Sequence, residues 1–289
     1  VAKKVNGEII NADSMQVYKK IKILTARPNK EEQKNIKHHL YGVIDLNKNF
    51  STGQWLKLTI NLINNIRKRK KVPILVGGTG LYFQSLIDGL VKIPEIPLNF
   101  RNKIRSKQKK EGQKKFYKNL LKLDPKVSNK IDSNDIQRSI RAFEVKSFTK
   151  ISMYDWLEKT VPEFEDKEFL RIYIDYKRED LIKKISLRTK KMIKNGAINE
   201  VKSFLKLKIK KDKSINKVIG IDELTQYLSK KIDLQESEEL ISIKTRQYAK
   251  RQATWARSRM ASWKKINPSM IETYLKNLKK TSLKLDQLT

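Results

Sequence analysis

PILVGGTGLYFQSLIDGL, residues 73–90, joins a short apolar run to a glycine-rich turn and then to a stretch with helical periodicity. Pro73–Val76 predicts a buried strand, Gly77–Gly80 a tight turn and Leu81–Leu90 a helix, which together make one unit of an α/β fold. The dinucleotide pattern G-x-G-x-x-G is excluded, because its third glycine would fall at Phe83. A glycine turn that opens a helix still presents backbone N–H groups, and here the Thr79 hydroxyl, to a phosphate. Upstream, GEIINADSMQVY (residues 7–18) reads as an Asn6-Gly7 turn, a short strand Glu8–Ile10 and a polar loop at Asp13. Ligands of open α/β sheets bind beyond the carboxyl ends of the strands, so Asp13 and Thr79 are candidate site residues. An aspartate in that place also serves as a turn former or helix cap, and the local sequence leaves both roles open.

The rest of the chain alternates in the same way. Ser51–Ile66 has helical spacing and ends in the basic run Arg67–Lys71. Pro94 and Pro97 in IPEIPLNFR mark a hinge, after which Phe100 to about Lys159 reads as a lysine-rich helical insertion without a strand. Phe169–Ile174 predicts a strand, followed by a helix from about Arg178 to Lys194 that Asn195-Gly196 ends. A last long helix starts near Glu236–Glu239 and runs through Trp255, and the final KKTSLKLDQLT reads as a mobile tail. The resulting division is a core of residues 1–95 and 165–289 and an insertion of residues 96–164.

Composition narrows the class. A chain of 289 residues with 38% hydrophobic content suits a globular protein of one or two domains. Lys and Arg number 65 against 31 Asp and Glu, a formal charge of +34 that attracts polyanions such as nucleic acid. Lysine scattered beside Ile and Asn also fits a coding bias, so the charge needs a located site. With no cysteine there is no disulfide framework, thiolate metal site or cysteine nucleophile. No apolar run approaches the roughly 18 residues that span a bilayer, and VAKKVNGEII lacks the apolar stretch of a signal peptide, so the expectation is a soluble cytoplasmic protein. Val1 stands where an initiator methionine is usual, which fits a non-AUG start or a chain that begins within a longer reading frame.

Further candidates sit on helices. Leu181, Ile185, Arg188 and Met192 share a stripe, which puts the Arg188 guanidinium on an apolar face, where it either pairs with a carboxylate or binds an anionic ligand. In NDIQRSIRAFEV, Ile136, Ile140 and Phe143 form one stripe, while Gln137, Arg138 and Arg141 are neighbours on another. In TRQYAKRQATWARSR, Arg246, Lys250 and Arg257 line one face, and Tyr248 and Trp255 lie seven apart on another. Basic stripes beside aromatics suit phosphate tracking and base stacking, although a solvated face over core aromatics explains either helix taken alone. His38-His39 lacks carboxylates at metal-ligand spacing.

NADSMQVY, TARP, HHL, PILVGGTGLY, DGL, SNDIQRSIRAFEV and TRQYAKRQATW occur in the order and at the spacings of the tRNA dimethylallyltransferases, which the chain resembles over nearly its whole length. The resemblance implies an α/β fold with a P-loop NTPase-like parallel sheet and an inserted helical domain. It implies transfer of a dimethylallyl group from dimethylallyl diphosphate to the exocyclic amine of the adenosine 3′ to the anticodon, in tRNAs that read codons beginning with U. By the same resemblance Asp13 accepts the amine proton, Thr79 contacts the bridging oxygen of the leaving diphosphate, and Arg188 stabilises that leaving group. Asp13 and Thr79, with Ser14, Met15, Gln16, Arg101, Gln137, Arg138, Ser139, Ile140 and Arg141, match positions that hold the anticodon loop and the extruded adenosine. Arg246, Lys250 and Arg251 match the tRNA-contacting C-terminal region. Magnesium is the implied cofactor, the tRNA anticodon stem-loop and dimethylallyl diphosphate are the implied partners, and the chain is expected to work as a monomer away from membranes.

The sequence departs from the family pattern in four places. No G-x-x-x-x-G-K-[ST] loop, the usual cradle of the diphosphate and source of a magnesium ligand, occurs in these residues, so the first strand and P-loop of the family are missing from the expected fold. Lys20 and Leu24 stand where the family usually has glycine, and GIDE at Gly220–Glu223 replaces a GY-basic sequence. Two other readings therefore accompany the enzyme: a non-catalytic tRNA-binding remnant, and a prenyltransferase of free adenine nucleotides.

Overall fold

In the computed structural model, which describes residues 1–281, the chain divides into two compact units, Val1–Ser85 with the chain from Phe164 onward, and Leu86–Glu163. In chain order the first unit contains β1 (Gly7–Asn11), α1 (Lys30–Gln33), β2 (His38–His39), α2 (Thr52–Lys68), β3 (Val72–Val76) and α3 (Gly80–Ile87). The second contains α4 (Leu98–Glu111), α5 (Gln113–Leu123), α6 (Ile136–Thr149) and α7 (Met153–Glu158). The first unit then resumes with β4 (Ile172–Ile174), α8 (Arg178–Lys194), α9 (Ala197–Lys206), α10 (Ile221–Leu228), α11 (Leu234–Arg259), β5 (Lys264–Ile266) and α12 (Ile271–Thr281). The stretch read as a tail divides: residues 279–281 end α12, and residues 282–289 lie outside the described residues.

The strands form parallel sheets. One has the order β2-β1-β3, with Ile9 opposite Ile74 and Asn11 opposite Val76, and the other pairs β4 with β5. Two expectations need correction. Pro73–Val76 is not a buried strand: Val76 is 47% exposed, because among the described residues β3 is paired with β1 alone and keeps an open edge. The strand expected over Phe169–Ile174 is confined to Ile172–Ile174 and finds its partner in β5, a segment too short and too rich in lysine to be read as a strand.

Helix ends follow their local chemistry. Ser51 caps α2 and Asp233 caps α11, each in a capping box with Gln54 and Glu236 respectively. Gly196, at φ 98°, supplies the left-handed residue that separates α8 from α9. The loop after β1 packs Val17, Tyr18, Ile21 and Leu24 onto Val201, Phe204, Leu224 and Ile241, which makes the main core. Glu200 pins that loop by accepting from the backbone N–H groups of Lys22, Ile23 and Leu24. Lys20 adopts φ 67°, the conformation that glycine takes most readily, and Leu24 is buried against Gly220. In GIDE, Glu223 accepts from Gly220 N at 2.7 Å and pairs with Lys244, so this departure has its own partners.

The expected metal-poor histidine pair has a structural use. His39 Nε2 lies 2.7 Å from Glu8, while His38 Nδ1 turns to the Ile36 carbonyl. Glu8 is 1% exposed and also receives Arg69 and Lys71, and the Arg69 contact holds its carboxyl far below the ordinary carboxylate value. A depressed folded value means that the stabilisation is complete above the unfolded pKa and is lost as pH falls below it. Glu8→Gln is expected to lower stability at pH 7 by about 2 kcal/mol, the scale of a charged buried hydrogen bond. In denaturant titrations that deficit should shrink as pH falls below about 4.

Candidate active site

The parallel register brings the carboxyl ends of β1 and β3 together, so Asp13 and Thr79 leave the sheet at the same edge. Ala12 N donates to Val76 O at 2.8 Å, and Thr79 N donates to Ala12 O at 3.1 Å. The Asn11 amide fixes the next turn: Nδ2 donates to Asp13 O and Leu40 O, and Oδ1 accepts from Asp13 N. Beneath them the fully buried Trp55 donates from Nε1 to Asn11 O and stacks on Tyr82, with 4.3 Å between ring centroids.

The glycines of the turn are spaces filled by neighbours. A β-carbon on Gly77 would lie 2.2 Å from the Ala12 carbonyl carbon and 2.7 Å from Asp13 N, distances that backbone atoms cannot relieve. On Gly78 it would strike Gln252, whose Nε2 donates to Gly78 O at 2.9 Å, and on Gly80 it would strike the Trp255 indole. Helix α11 is thus laid directly over the turn.

Asp13 is half-buried. Its Oδ1 accepts from Met15 N at 2.7 Å and Gln16 N at 3.3 Å, bonds that leave Oδ2 out, so the carboxylate forms the local turn and still has an oxygen for other work. Thr79 Oγ1 accepts from Ser14 N at 3.0 Å and donates to Ser14 Oγ at 3.3 Å. Arg188 lies within the electrostatic reach of Asp13: crowding by protein pulls its pKa down, and Asp13 opposes that fall. Its side chain nevertheless meets solvent. The stripe expected to contain it is made instead by Ile185, Thr189 and Met192, with Arg188 at its edge, because Thr189 turns inward to accept from Ser242.

Three tyrosines complete the surroundings, and of these only Tyr248 was singled out from sequence, as an aromatic suited to base stacking. Burial pushes the Tyr41 phenol up to about 12, and Asp13 adds to the rise. Tyr82 and Tyr248 are raised by burial too, with Asp13 a further cause for both, while contacts to Gln252 and Thr79 pull Tyr248 back. All three stay neutral near pH 7 and add no charge beside the carboxylate. Tyr82 and Tyr248 lay within the ordered motifs, but the nearness of Tyr41 to Asp13 depends on β2 pairing with β1.

The remaining candidates fall into two groups. On α11, Arg246, Lys250 and Arg251 are exposed, and Arg251 sits over the Tyr248 ring at 5.7 Å. Trp255 is not free to stack on a base, since its indole covers Gly80. Met15 packs on the main core, and Gln16 donates to Thr25 O at 2.9 Å. In the second unit Gln137 and Arg138 are exposed and Arg101 and Arg141 partly so. Ser139 and Ile140 face inward, Ser139 accepting from Gln113 and Ile140 packing with Ile104 and Phe116.

Around Asp13 the oxygens are one carboxylate and hydroxyls already bonded to each other, and no group of three or more His, Cys, Asp or Glu comes together among the described residues. That donor set does not fit a magnesium ion held by protein oxygens alone. Among the described residues no helix is long and apolar enough to cross a membrane.

The sequence matches the IPP transferase family over residues 16–259. It is 74% identical over 289 residues to the tRNA dimethylallyltransferase of Pelagibacter ubique (strain HTCC1062), covering all of this chain and 92% of that protein. The tRNA dimethylallyltransferase of Rickettsia massiliae (strain Mtu5) is 39% identical over 284 residues, 97% of this chain and 77% of its own length. Among solved structures, the tRNA isopentenylpyrophosphate transferase of Bacillus halodurans superposes with a TM-score of 0.69 at 29% identity, covering 99% of this chain and 92% of that one. A eukaryotic dimethylallyltransferase captured acting on tRNA gives 0.78 at 30% identity, over 88% and 64%.

Gly77→Ala should displace the Asp13 backbone rather than a side chain. The expected outcome is a loss of about 1–3 kcal/mol in thermal or denaturant unfolding, with activity falling further than stability explains.

Proposed function

Since the chain belongs to the IPP transferase family, we propose that it transfers the dimethylallyl group of dimethylallyl diphosphate to tRNA, at the exocyclic amine of the adenosine 3′ to the anticodon in tRNAs that read codons beginning with U. The observation that carries this reading is the Asp13 carboxylate, held at the strand ends with Oδ1 in the turn and Arg188 in electrostatic reach. In the reaction the amine nitrogen bonds to the allylic carbon, the carbon–oxygen bond to diphosphate breaks, and the nitrogen gives up a proton. Asp13 accepts that proton, which matters because an exocyclic amine becomes acidic only as it attacks. Charge grows on the departing diphosphate at the same time, and Arg188 and the Thr79 hydroxyl face it.

The acceptor base has to leave its stack to present the amine, and the bound RNA must be held while it does. Arg246, Lys250 and Arg251 on the exposed side of α11, and Arg101, Gln137, Arg138 and Arg141 in the helical insertion, supply cations and amide groups for that purpose. Ser14, Met15 and Gln16 shape the loop next to Asp13. Residues 1–95 and 165–289 are thus the prenyl-transferring core with its tRNA-contacting C-terminal helices, and residues 96–164 are a tRNA-contacting insertion. The protein works as a monomer in the cytoplasm.

Mass spectrometry of unmodified tRNA incubated with the chain, magnesium and dimethylallyl diphosphate tests the reading. Dimethylallyl adenosine should form, and Asp13→Asn should slow its formation by about 10²- to 10⁴-fold, the range of general base catalysis, with tRNA binding kept. Intact tRNA binding by a chain that forms no product would leave an RNA-binding role only, and equal turnover of a mononucleotide would point to free nucleotides.

A further inference from the structure

Helices α4 and α6 of the second unit meet around one carboxylate. Glu144 is 1% exposed, and Arg101 Nε at 3.3 Å, Arg105 Nε at 3.7 Å and Arg141 Nη1 at 3.6 Å all converge on it. Arg101 and Arg105 are one turn apart on α4, as Arg141 and Glu144 are on α6, so the geometry follows from two i, i+3/i+4 pairs facing each other. A salt bridge that only locked two helices would need a single cation. Three guanidiniums around one acid leave a net charge of +2 in a cluster whose cations remain between 37% and 47% exposed. Each guanidinium has five N–H donors, many more together than one carboxylate accepts, and Glu144 Oε1 makes no hydrogen bond at all. Burial lowers the Arg141 pKa, Glu144 opposes that fall, and the neighbouring Arg101 adds to it.

We infer that Glu144 positions Arg101, Arg105 and Arg141 as a preformed grip for the phosphate backbone of the bound RNA, and that Arg105 is a phosphate-contacting residue. Guanidinium forks suit phosphate oxygens, and an anchored fork loses less side-chain freedom on binding than a free one. The inference rests on the tRNA reading above for the identity of the polyanion, and Glu144 itself is a positioning residue, buried away from any ligand.

Binding of unmodified tRNA to the full chain, titrated across salt concentration, provides the test. Arg105→Ala should weaken binding several-fold and reduce the slope of log K against log salt by about 0.7–0.9, one phosphate contact. Glu144→Gln separates positioning from charge: removing an acid from a cationic surface should tighten RNA binding by Coulomb attraction alone, whereas loss of the grip weakens it and lowers the slope. Glu144→Asp, which keeps the charge, should recover part of the affinity. Unchanged affinity and slope in Arg105→Ala, or binding by Glu144→Gln as tight as the parent chain, would overturn the grip while leaving the tRNA reading in place. If Glu144→Gln does not fold, Arg105→Ala on an exposed helix face decides. A parent chain that binds no tRNA would refute both.

Discussion

The close approach of Gly77 to the Ala12–Asp13 backbone is the constraint from which the site follows. Parallel pairing of β1 with β3 ends both strands at one edge, and only a residue without a β-carbon lets the second loop come within bonding distance of the first. Thr79 N can then reach Ala12 O, and the Thr79 hydroxyl can reach Ser14. Gly78 and Gly80 extend the same principle to α11, whose Gln252 and Trp255 occupy the space that side chains would take. The arrangement is held by backbone geometry beneath and by a tight helix above, so the carboxylate does not depend on a flexible loop for its position.

Acidic residues in a chain of net charge +34 are used sparingly, and three of the buried ones collect cations. Glu8 gathers His39, Arg69 and Lys71, Glu144 gathers three arginines, and Glu223 takes Lys244. Burying a charge is costly unless it is paired, and abundant lysine and arginine make pairing easy here. Asp13 stands apart. It is half-buried, satisfies one oxygen from backbone N–H groups, and has Tyr41 and the Arg188 guanidinium within electrostatic reach.

Much of this was legible before any coordinates. Glycine, asparagine and capping residues mark where elements stop, and Ser51, Asn195-Gly196 and the acid-rich start of α11 placed three helices by local chemistry alone. Asp13 and Thr79 were recognisable because each follows a strand, and the ordered motifs supplied the family. Burial was less legible. Pro73–Val76 is as apolar as a central strand, yet its exposure depends on how many neighbours pair with it, which no local pattern encodes. Arg188 and the inward turn of Thr189 show the same limit, since a helical stripe fixes neighbours on the helix but not the width of the groove they enter.

By itself the sequence determined the α/β alternation, the helix ends and the residue types available for chemistry, because turns, caps and periodicity are properties of a few consecutive residues. Only the tertiary structure decided which of those residues meet. Tyr41 beside Asp13, β4 beside β5, and three arginines around Glu144 each join segments far apart in the chain or on facing helices, and such contacts depend on packing rather than on spacing.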